Sequence, residues 1–300
     1  MLHLALPRAM TADPPFLIEP RLHDLGDGFA VRRLLPSRLC RHVGPFVFLD
    51  HIGPVDLAPG RGLDVRPHPH IGLATVTYLY KGALTHHDSL GCRQVIRPGD
   101  VNWMTAGRGI VHSERTPETE RAAGHRMHGI QTWVALPQAH EEAEPEFRHY
   151  STDTLPEFER EGVRLRVIAG HAFGMTSPVH VYAPTLYVDV EFAPGGTQVL
   201  PPEHEERAIY VVAGAVRVDG EPVPAERMLV LSSGRDVEIS AASAARVLLC
   251  GGAALDGERF LWWNFVSSGK QRIERAKADW LAQRFGQVPG ETQFIPLPEH

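Results

Sequence analysis

Cysteine is scarce in this chain, and the chain contains no long apolar run. Only three cysteines, Cys40, Cys92 and Cys250, occur among 300 residues, and they lie far apart. This small, odd number indicates neither a disulfide framework nor a thiolate zinc site, and it favours a reducing compartment. No apolar stretch approaches the roughly 20 residues of a membrane-spanning helix. We therefore expect a soluble, cytoplasmic protein that does not enter a membrane.

Basic clusters are missing as well. The 30 lysines and arginines are outnumbered by 36 aspartates and glutamates, which gives a formal net charge of −6. Proteins that bind a phosphate backbone gather basic residues on one surface. Direct binding to DNA or RNA is therefore not expected.

The composition itself describes a turn-rich globular protein. Apolar residues make up 43% of the chain and charged residues 22%, with 28 glycines and 25 prolines. A length of 300 residues exceeds what one hydrophobic core usually serves. Two domains are therefore favoured over one.

Short apolar or alternating runs bounded by Gly, Pro, Asp and Asn recur along most of the chain, whereas helix-period stretches are scarce. This rhythm is typical of a β sandwich or barrel. The candidate strands fall into two clusters, namely Thr75 to Tyr80, Arg93 to Arg97, His128 to Leu136, Arg164 to Gly170, Leu186 to Phe192, Ala208 to Gly214, Met228 to Ser233 and Ala245 to Cys250.

The stretch from Pro137 to Gly162 separates the two clusters. It is polar and acidic and contains three prolines, as expected of a connection that crosses the surface. We therefore predict an N-terminal domain at 15–137, a linker at 138–162 and a C-terminal domain at 163–300. A possible internal repeat, in which 78–107 and 210–234 share one succession of strands and turns, supports two copies of one β fold.

One helix is predicted near the end, in SSGKQRIERAKADWLAQRFG. Ile273, Ala276, Trp280 and Leu281 are expected on one face of it, with the serines ahead as caps and Gly286 as the stop. We expect this helix to pack back on a sheet.

Two pairs of potential metal ligands stand out. His68 and His70 point the same way if their segment is extended, and Pro69 favours extension at His68. About forty residues later, GRGIVHSE supplies His112 and Glu114 at the same spacing of two. Three imidazoles and a carboxylate suit iron(II), nickel, manganese, copper or zinc, and an octahedral ion would keep two positions open for chemistry.

The surroundings of these residues resemble cupin motifs. The stretch 62–82, with His68 and His70, resembles the first motif, and 107–112, with His112, resembles the second, with glycine in place of proline. Gly107 and Gly109 on their own indicate a tight turn before a strand.

The usual cupin glutamate is missing, because its slot holds Ala74 or Thr75, and Glu114 would have to supply the carboxylate. In this displacement of the carboxylate, the chain resembles the pirin family. PHPHIGLATVTYLYKGALTHHDSLG, RPGDVNWMTAGRGIVHSE, HEERAIYVVAG and LWWNFVSSGKQRIERAKADW are similar to bacterial pirins, and the resemblance spans roughly 15–299.

The resemblance implies an all-β bicupin: two cupin (jelly-roll-like) β-barrels face to face, with a C-terminal helix and the metal in the N-terminal barrel. The family's ligands fall on His68, His70, His112 and Glu114. The family metal is usually iron, so Fe(II) is the expected cofactor, while Ni, Mn, Cu and Zn stay open.

The C-terminal copy departs from the motif. Pro202 stands where the first histidine should be, His204 fills the second position, and Arg207 lies near the glutamate slot. We therefore expect the second barrel to be metal-free, with a structural role.

Two further residues are candidates for the substrate pocket. His86 would line the pocket or hold a ligand histidine in its tautomer. The alternative is that His86 lies at an exposed hairpin tip and has no role in the site. Trp103 would stack on an aromatic substrate, although buried tryptophans are more often part of a core.

Members of the family resemble quercetin 2,3-dioxygenases, which implies a small aromatic substrate such as a flavonol, together with O2. Glu114 would then be both ligand and base. The family also resembles transcriptional coregulators, so the alternative is an iron redox sensor that binds a regulatory protein partner without turnover. A cupin with a purely structural metal is a third reading. A cavity deep enough for a flavonol would favour the enzyme over the sensor.

Overall fold

Antiparallel β structure dominates the computed structural model, which describes residues 4–6, 14–24 and 29–298. The strands of the first half are β1 Leu4–Leu6, β2 Phe16–Ile18, β3 Arg21–Asp24, β4 Ala30–Leu35, β5 Phe46–Leu57, β6 Asp64–His70, β7 Leu73–Lys81, β8 Leu84–Asp88, β9 Arg93–Ile96, β10 Val101–Thr105, β11 Ile110–Arg115, β12 His125–Ala135 and β13 Glu146–Tyr150.

The strands of the second half are β14 Glu157–Arg160, β15 Val163–Ala172, β16 Met175–Thr176, β17 Thr185–Phe192, β18 Thr197–Leu200, β19 Glu206–Ala213, β20 Ala215–Val218, β21 Glu221–Pro224, β22 Met228–Val230, β23 Val237–Ser240, β24 Ala245–Gly252, β25 Arg259–Trp262 and β26 Phe265–Ser267. The α-helices are α1 Glu118–Ala123 and α2 Lys270–Leu281, and short 3-10 turns cover Gln138–His140 and Thr152–Thr154. Every predicted strand overlaps an observed one. No helix in the described part of the chain is long and apolar enough to cross a membrane.

Each half pairs a large sheet with a small one. The N-terminal barrel combines the order β13-β10-β7-β12-β5-β4-β3 with β6-β11-β8-β9. The C-terminal barrel combines β14-β15-β17-β24-β19-β22-β2, with β16 paired to β15, and the order β18-β23-β20-β21. This architecture confirms the predicted all-β bicupin fold.

The two barrels share a core. Val76, Tyr78 and Ile130 of the first large sheet are buried in one apolar cluster with Tyr187 and Leu248 of the second. Since strand side chains alternate between faces, the remaining positions of both large sheets fill the barrel interiors. The large sheet of the N-terminal barrel therefore packs against the second barrel on one face and encloses its own barrel interior with the other.

The ends of the chain cross between the barrels. Phe16–Ile18 pairs with β22 of the C-terminal barrel. In return, β25, β26 and α2 cover the N-terminal barrel, where Phe265 and Trp280 pack with Ile71 and Val111. The predicted helix therefore packs against the first barrel, although its sequence position had assigned it to the C-terminal domain.

The segment predicted as a linker contributes strands of its own. Glu146–Tyr150 extends the N-terminal sheet beside β10, and Glu157–Arg160 pairs with β15. Its polar composition matches half-buried and exposed strands at the edges of the two large sheets, and sequence alone does not distinguish such strands from a loop.

The helix differs from the prediction in its N-cap, its end and its buried face. Gly269 occupies the N-cap without any side-chain cap, because Ser268 bonds the Glu141 carboxylate instead. The helix ends at Leu281, five residues before Gly286. Leu281 is 72% exposed whereas Trp280 is 2% exposed, because adjacent helical residues point about 100° apart and the residues that cover this helix pack on the Trp280 side.

A buried polar chain joins the barrels and makes stability depend on pH. His51 Nδ1 lies 2.5 Å from the Tyr210 hydroxyl, and His51 Nε2 lies 2.8 Å from His128 Nε2. Burial, followed by nearby positive charge, lowers the pKa of His51 to about 2 and that of His128 to about 4. Both imidazoles are therefore neutral at pH 7.

We expect the protein to lose stability as pH falls from about 6.5 towards 4. The unfolded chain binds protons in that window and these folded imidazoles do not, so each costs up to about 1.4 kcal/mol per pH unit, less where water screens it. Thermal unfolding at pH 7 and pH 5 measures the effect. His128→Gln should flatten the dependence while the exposed-site control His140→Gln keeps it; equal slopes in both variants would contradict the assignment.

Candidate metal centre and its cavity

Three histidines converge inside the N-terminal barrel. His68 and His70 alternate with Pro69 along β6, and β11 runs beside it so that His112 pairs with His68 and Ile110 with His70. One potential ligand nitrogen of each imidazole lies within 4.8 Å of the others. The strand alternation expected from the sequence therefore brings the three side chains to one point.

The environment keeps the three rings neutral. His68 is 6% exposed, His70 1% and His112 1%. Burial lowers the pKa of all three, and the neighbouring imidazoles lower those of His70 and His112 further. Neutral imidazoles keep the lone pairs that bind a metal ion.

Unpartnered nitrogens provide a test of whether a metal fits here. His70 Nδ1 and His112 Nε2 are buried without a hydrogen-bond partner in the described part of the chain. His68 Nδ1 instead lies 2.8 Å from the Arg66 carbonyl oxygen, which orients that ring. Buried polar atoms are normally satisfied, so this donor set fits a transition metal that prefers imidazole.

Glu114 lies beside the three histidines and outside their cluster. Its carboxylate accepts hydrogen bonds from Thr77 Oγ1 at 3.1 Å and from Gln131 Nε2 at 3.0 Å. It lines the same cavity as His68 and His70, but its oxygens do not complete the group of atoms within 4.8 Å. Each oxygen therefore already has a donor, and the side chain lines the cavity beside the histidines.

His86 and Asp88 stand behind His112. His86 Nδ1 lies 3.3 Å from His112 Nδ1, and His86 Nε2 lies 2.8 Å from Asp88 Oδ2. The Asp88 carboxylate requires a proton on His86 Nε2, so His86 Nδ1 accepts from His112 and leaves His112 Nε2 free. His86 also stacks on Phe147 at 4.0 Å. His86 therefore contacts His112 of the histidine cluster and is not among the residues that line the cavity.

The cavity in front of the histidines has a volume of about 460 Å³. Phe48 and Trp133 form one aromatic wall, stacked at 3.9 Å, and Trp133 meets His70 edge-on at 5.1 Å. Leu261 and Trp263 line it as well. The dimensions fall in the range of small-molecule sites.

Trp103 does not belong to this cavity. It is 3% exposed and packs in the core shared by the two barrels. Its neighbour Met104 points into the N-terminal barrel instead, as strand alternation requires. Trp103 therefore lies in the core and not in the lining of this cavity, as is usual for a buried tryptophan.

Two family models cover most of the chain. Residues 28–134 match the model described as pirin, and residues 187–286 match the pirin C-terminal cupin domain. The chain belongs to the pirin family.

Three similar proteins match this chain over nearly their whole length. A pirin-like protein of Caulobacter vibrioides is 51% identical over 288 residues, covering 94% of this chain and 99% of the relative. A crystal structure of quercetin 2,3-dioxygenase from Acinetobacter baumannii superposes with a TM-score of 0.90 at 38% identity, covering 97% of each chain. A second quercetin 2,3-dioxygenase structure from that organism gives a TM-score of 0.85 at 29% identity, covering 91% of this chain and 98% of the other.

The second barrel of this pirin has different side chains at the matching position. Arg207 is 1% exposed and donates to the carbonyl oxygens of Pro201 at 2.9 Å and Arg235 at 2.8 Å. His204 Nε2 lies 2.8 Å from the His171 carbonyl oxygen. A buried guanidinium occupies the region near the glutamate slot, and the metal-free state of this barrel stays a prediction.

Several residues of the pirin site have no sequence signal near the histidines. Thr77, Gln131 and Trp133 face the site because β7 and β12 alternate in register with each other. Phe147 comes from the predicted linker. Only the period-two pattern of HGIQTWVAL pointed to Gln131 and Trp133 sharing one face, and nothing in it named that face.

Asp88→Asn is expected to weaken metal binding by about 10- to 100-fold. Asp88 Oδ1 accepts from the backbone N–H groups of Leu90 and Cys92, so the asparagine oxygen has to stay there and its amide would face His86. That reverses the donors along the chain and places the His112 proton on Nε2, the unpartnered nitrogen expected to bind the metal.

Zinc affinity, measured by competition with a chelating dye, tests this expectation. His87→Ala serves as control, because His87 is the neighbour of His86 on the opposite face of β8. Wild-type affinity in Asp88→Asn would show that the chain of hydrogen bonds does not set the His112 tautomer.

Proposed function

We propose that this pirin is a metal-dependent dioxygenase that cleaves the ring of quercetin or a related aromatic enediol in the cytoplasm. The observation that carries the proposal is the buried histidine triad, two of whose members, His68 and His70, line a cavity of about 460 Å³. The A. baumannii structures named as quercetin 2,3-dioxygenases, at 38% and 29% identity, support the same substrate class.

The proposed metal ligands are His68, His70 and His112, with Glu114 as a fourth ligand. Iron(II) is the proposed metal, and nickel, manganese, copper or zinc would suit the same donors. These residues would hold a metal that, when bound, would supply Lewis-acid and redox chemistry for a substrate with adjacent oxygens and for dioxygen.

Glu114 is also the proposed base. Its carboxylate lines the cavity beside the histidines and is oriented by Thr77 and Gln131, so it would accept the proton of a substrate hydroxyl bound there. Phe48 and Trp133 would hold the planar ligand, and the apolar wall around them would exclude water.

The cavity bears on the choice between turnover and redox sensing. A sensor that acts through its surface needs no space beyond the metal, whereas a ring-cleaving enzyme needs a slot for the ligand. The size and aromatic lining of this cavity favour the enzyme.

Oxygen uptake tests the proposal. Protein loaded anaerobically with iron(II) and then mixed with quercetin and O2 should consume one O2 and release one carbon monoxide per flavonol cleaved, with both oxygen atoms of O2 retained in the ester product and the carbon monoxide formed from C3 and its own oxygen. His70→Ala, with its metal content determined in parallel, is the control. Absence of uptake by fully loaded wild-type protein would overturn the enzyme proposal in favour of the redox sensor.

A further inference from the structure

Charged side chains line the outer end of the metal cavity. Arg21, His23 and Asp24 of the edge strand β3 lie there with Arg33 of β4 and Asp50 of β5. Burial and then the Arg33 charge lower the pKa of His23, so that imidazole is neutral at pH 7. Asp24 already has an interaction partner. The lasting positive charges at this end are the two guanidinium groups.

Asp50 holds the Arg33 guanidinium in place, and part of the hydrogen-bonding capacity of that guanidinium is unused. Its Nε donates to Asp50 Oδ1 and its Nη2 to Asp50 Oδ2, both at 2.8 Å, while Asp50 is 3% exposed. No described residue accepts a hydrogen bond from Arg33 Nη1, and 19% of the side chain is exposed. One edge of the guanidinium thus holds Asp50, and the other edge is open to the cavity.

A continuous wall leads from this open edge to the metal centre. The Arg33 guanidinium lies 4.4 Å from the centroid of the Phe48 ring, Phe48 stacks on Trp133, and Trp133 contacts His70. A planar ligand lying on this wall with its chelating oxygens at the histidines would bring its far end to Arg33.

We propose that the cavity selects an aromatic substrate with an ionised oxygen group, a carboxylate or phenolate, at the end remote from its metal-chelating oxygens. Arg33 is the residue that determines this specificity. The inference rests on the proposed function for the orientation of the ligand. A guanidinium already held by Asp50 offers two parallel N–H donors with little loss of side-chain freedom, which matches a carboxylate in particular.

Matched flavonols test the subsite. The probes are 3-hydroxyflavone, its 4′-carboxylate and its 4′-carboxamide, titrated anaerobically into nickel-loaded protein and followed by absorbance. Wild-type protein should bind the carboxylate about tenfold more tightly than the carboxamide, which has the same shape without the charge.

The double variant Arg33→Gln, Asp50→Asn removes the guanidinium without stranding a buried carboxylate and without changing the net charge. It should bind both substituted flavonols equally, within about twofold, and bind 3-hydroxyflavone within about threefold of wild type. Arg93→Gln removes an exposed arginine that does not line the cavity, and it should keep the full preference for the carboxylate. Circular dichroism checks that each variant is folded.

The outcomes separate this inference from the proposed function. Tight binding of 3-hydroxyflavone without a preference for the carboxylate, or a preference that survives in the double variant, would overturn the subsite alone. If no flavonol binds wild-type protein, the proposed function fails. The subsite is then decided by 4-phenylbenzoate against 4-phenylbenzamide, which need no metal: equal affinities would overturn it, and a preference for the benzoate lost in the double variant would support it.

Discussion

His112→Ala is expected to lower metal affinity by more than about 100-fold, beyond the effect of changing a residue that only orients a ligand. The three rings form a triangle, with the His112 centroid 4.4 Å from His68 and 5.1 Å from His70, and those two centroids 5.0 Å apart. Alanine would leave two imidazoles from one strand together with Glu114, whose oxygens lie outside the cluster of ligand nitrogens. Metal content after loading and dialysis, with affinity from chelator competition, measures the loss.

The matched control for this variant lies in the other barrel. His204 is also buried, at 5% exposed, and bonds a backbone carbonyl. His204→Ala should keep the metal content of wild type. Equal metal loss in both variants would locate binding elsewhere or show general unfolding, which circular dichroism distinguishes. Full metal retention in His112→Ala would refute the triad.

Spacing alone located the three histidines, for a physical reason. A strand repeats its side-chain direction every two residues, so His68-x-His70 predicts a shared face without any tertiary information. The resemblance to the pirin family then supplied the pairing of the two motifs, which the antiparallel register of β6 and β11 confirms.

Tertiary packing decided what the sequence left open. Leu281 and Trp280 both suit a buried helical face, and only the position of the sheet beneath shows that Trp280 is the buried one. Trp103 suits an aromatic slot as well as a core. It belongs to the core because it lies on the face of β10 that packs against the second barrel. The open edge of Arg33 depends on Asp50, seventeen positions away, and no local pattern encodes that contact.

Glu114→Gln is expected to reduce the rate of quercetin cleavage by about 100-fold or more, since general-base catalysis contributes that much, while metal affinity changes by less than about tenfold. The glutamine is compatible with the site. Its oxygen can accept from Gln131 Nε2, and its amide can donate to the Thr77 hydroxyl, which rotates to accept. The shape and the contacts stay, and only the proton acceptor is removed.

The two parts proposed for Glu114 make different demands on this variant. If the carboxylate serves mainly as a metal ligand, Glu114→Gln should lose metal and activity in parallel, because an amide oxygen is a weaker ligand for the same ion. A carboxylate needed as a base would lose turnover at unchanged metal content, and quercetin would still bind. Thr77→Val supplies the comparison: it removes one donor to the carboxylate and leaves the charge, so it should retain most activity. Parallel loss of metal and turnover in Glu114→Gln would refute the base role and keep the carboxylate as a ligand alone.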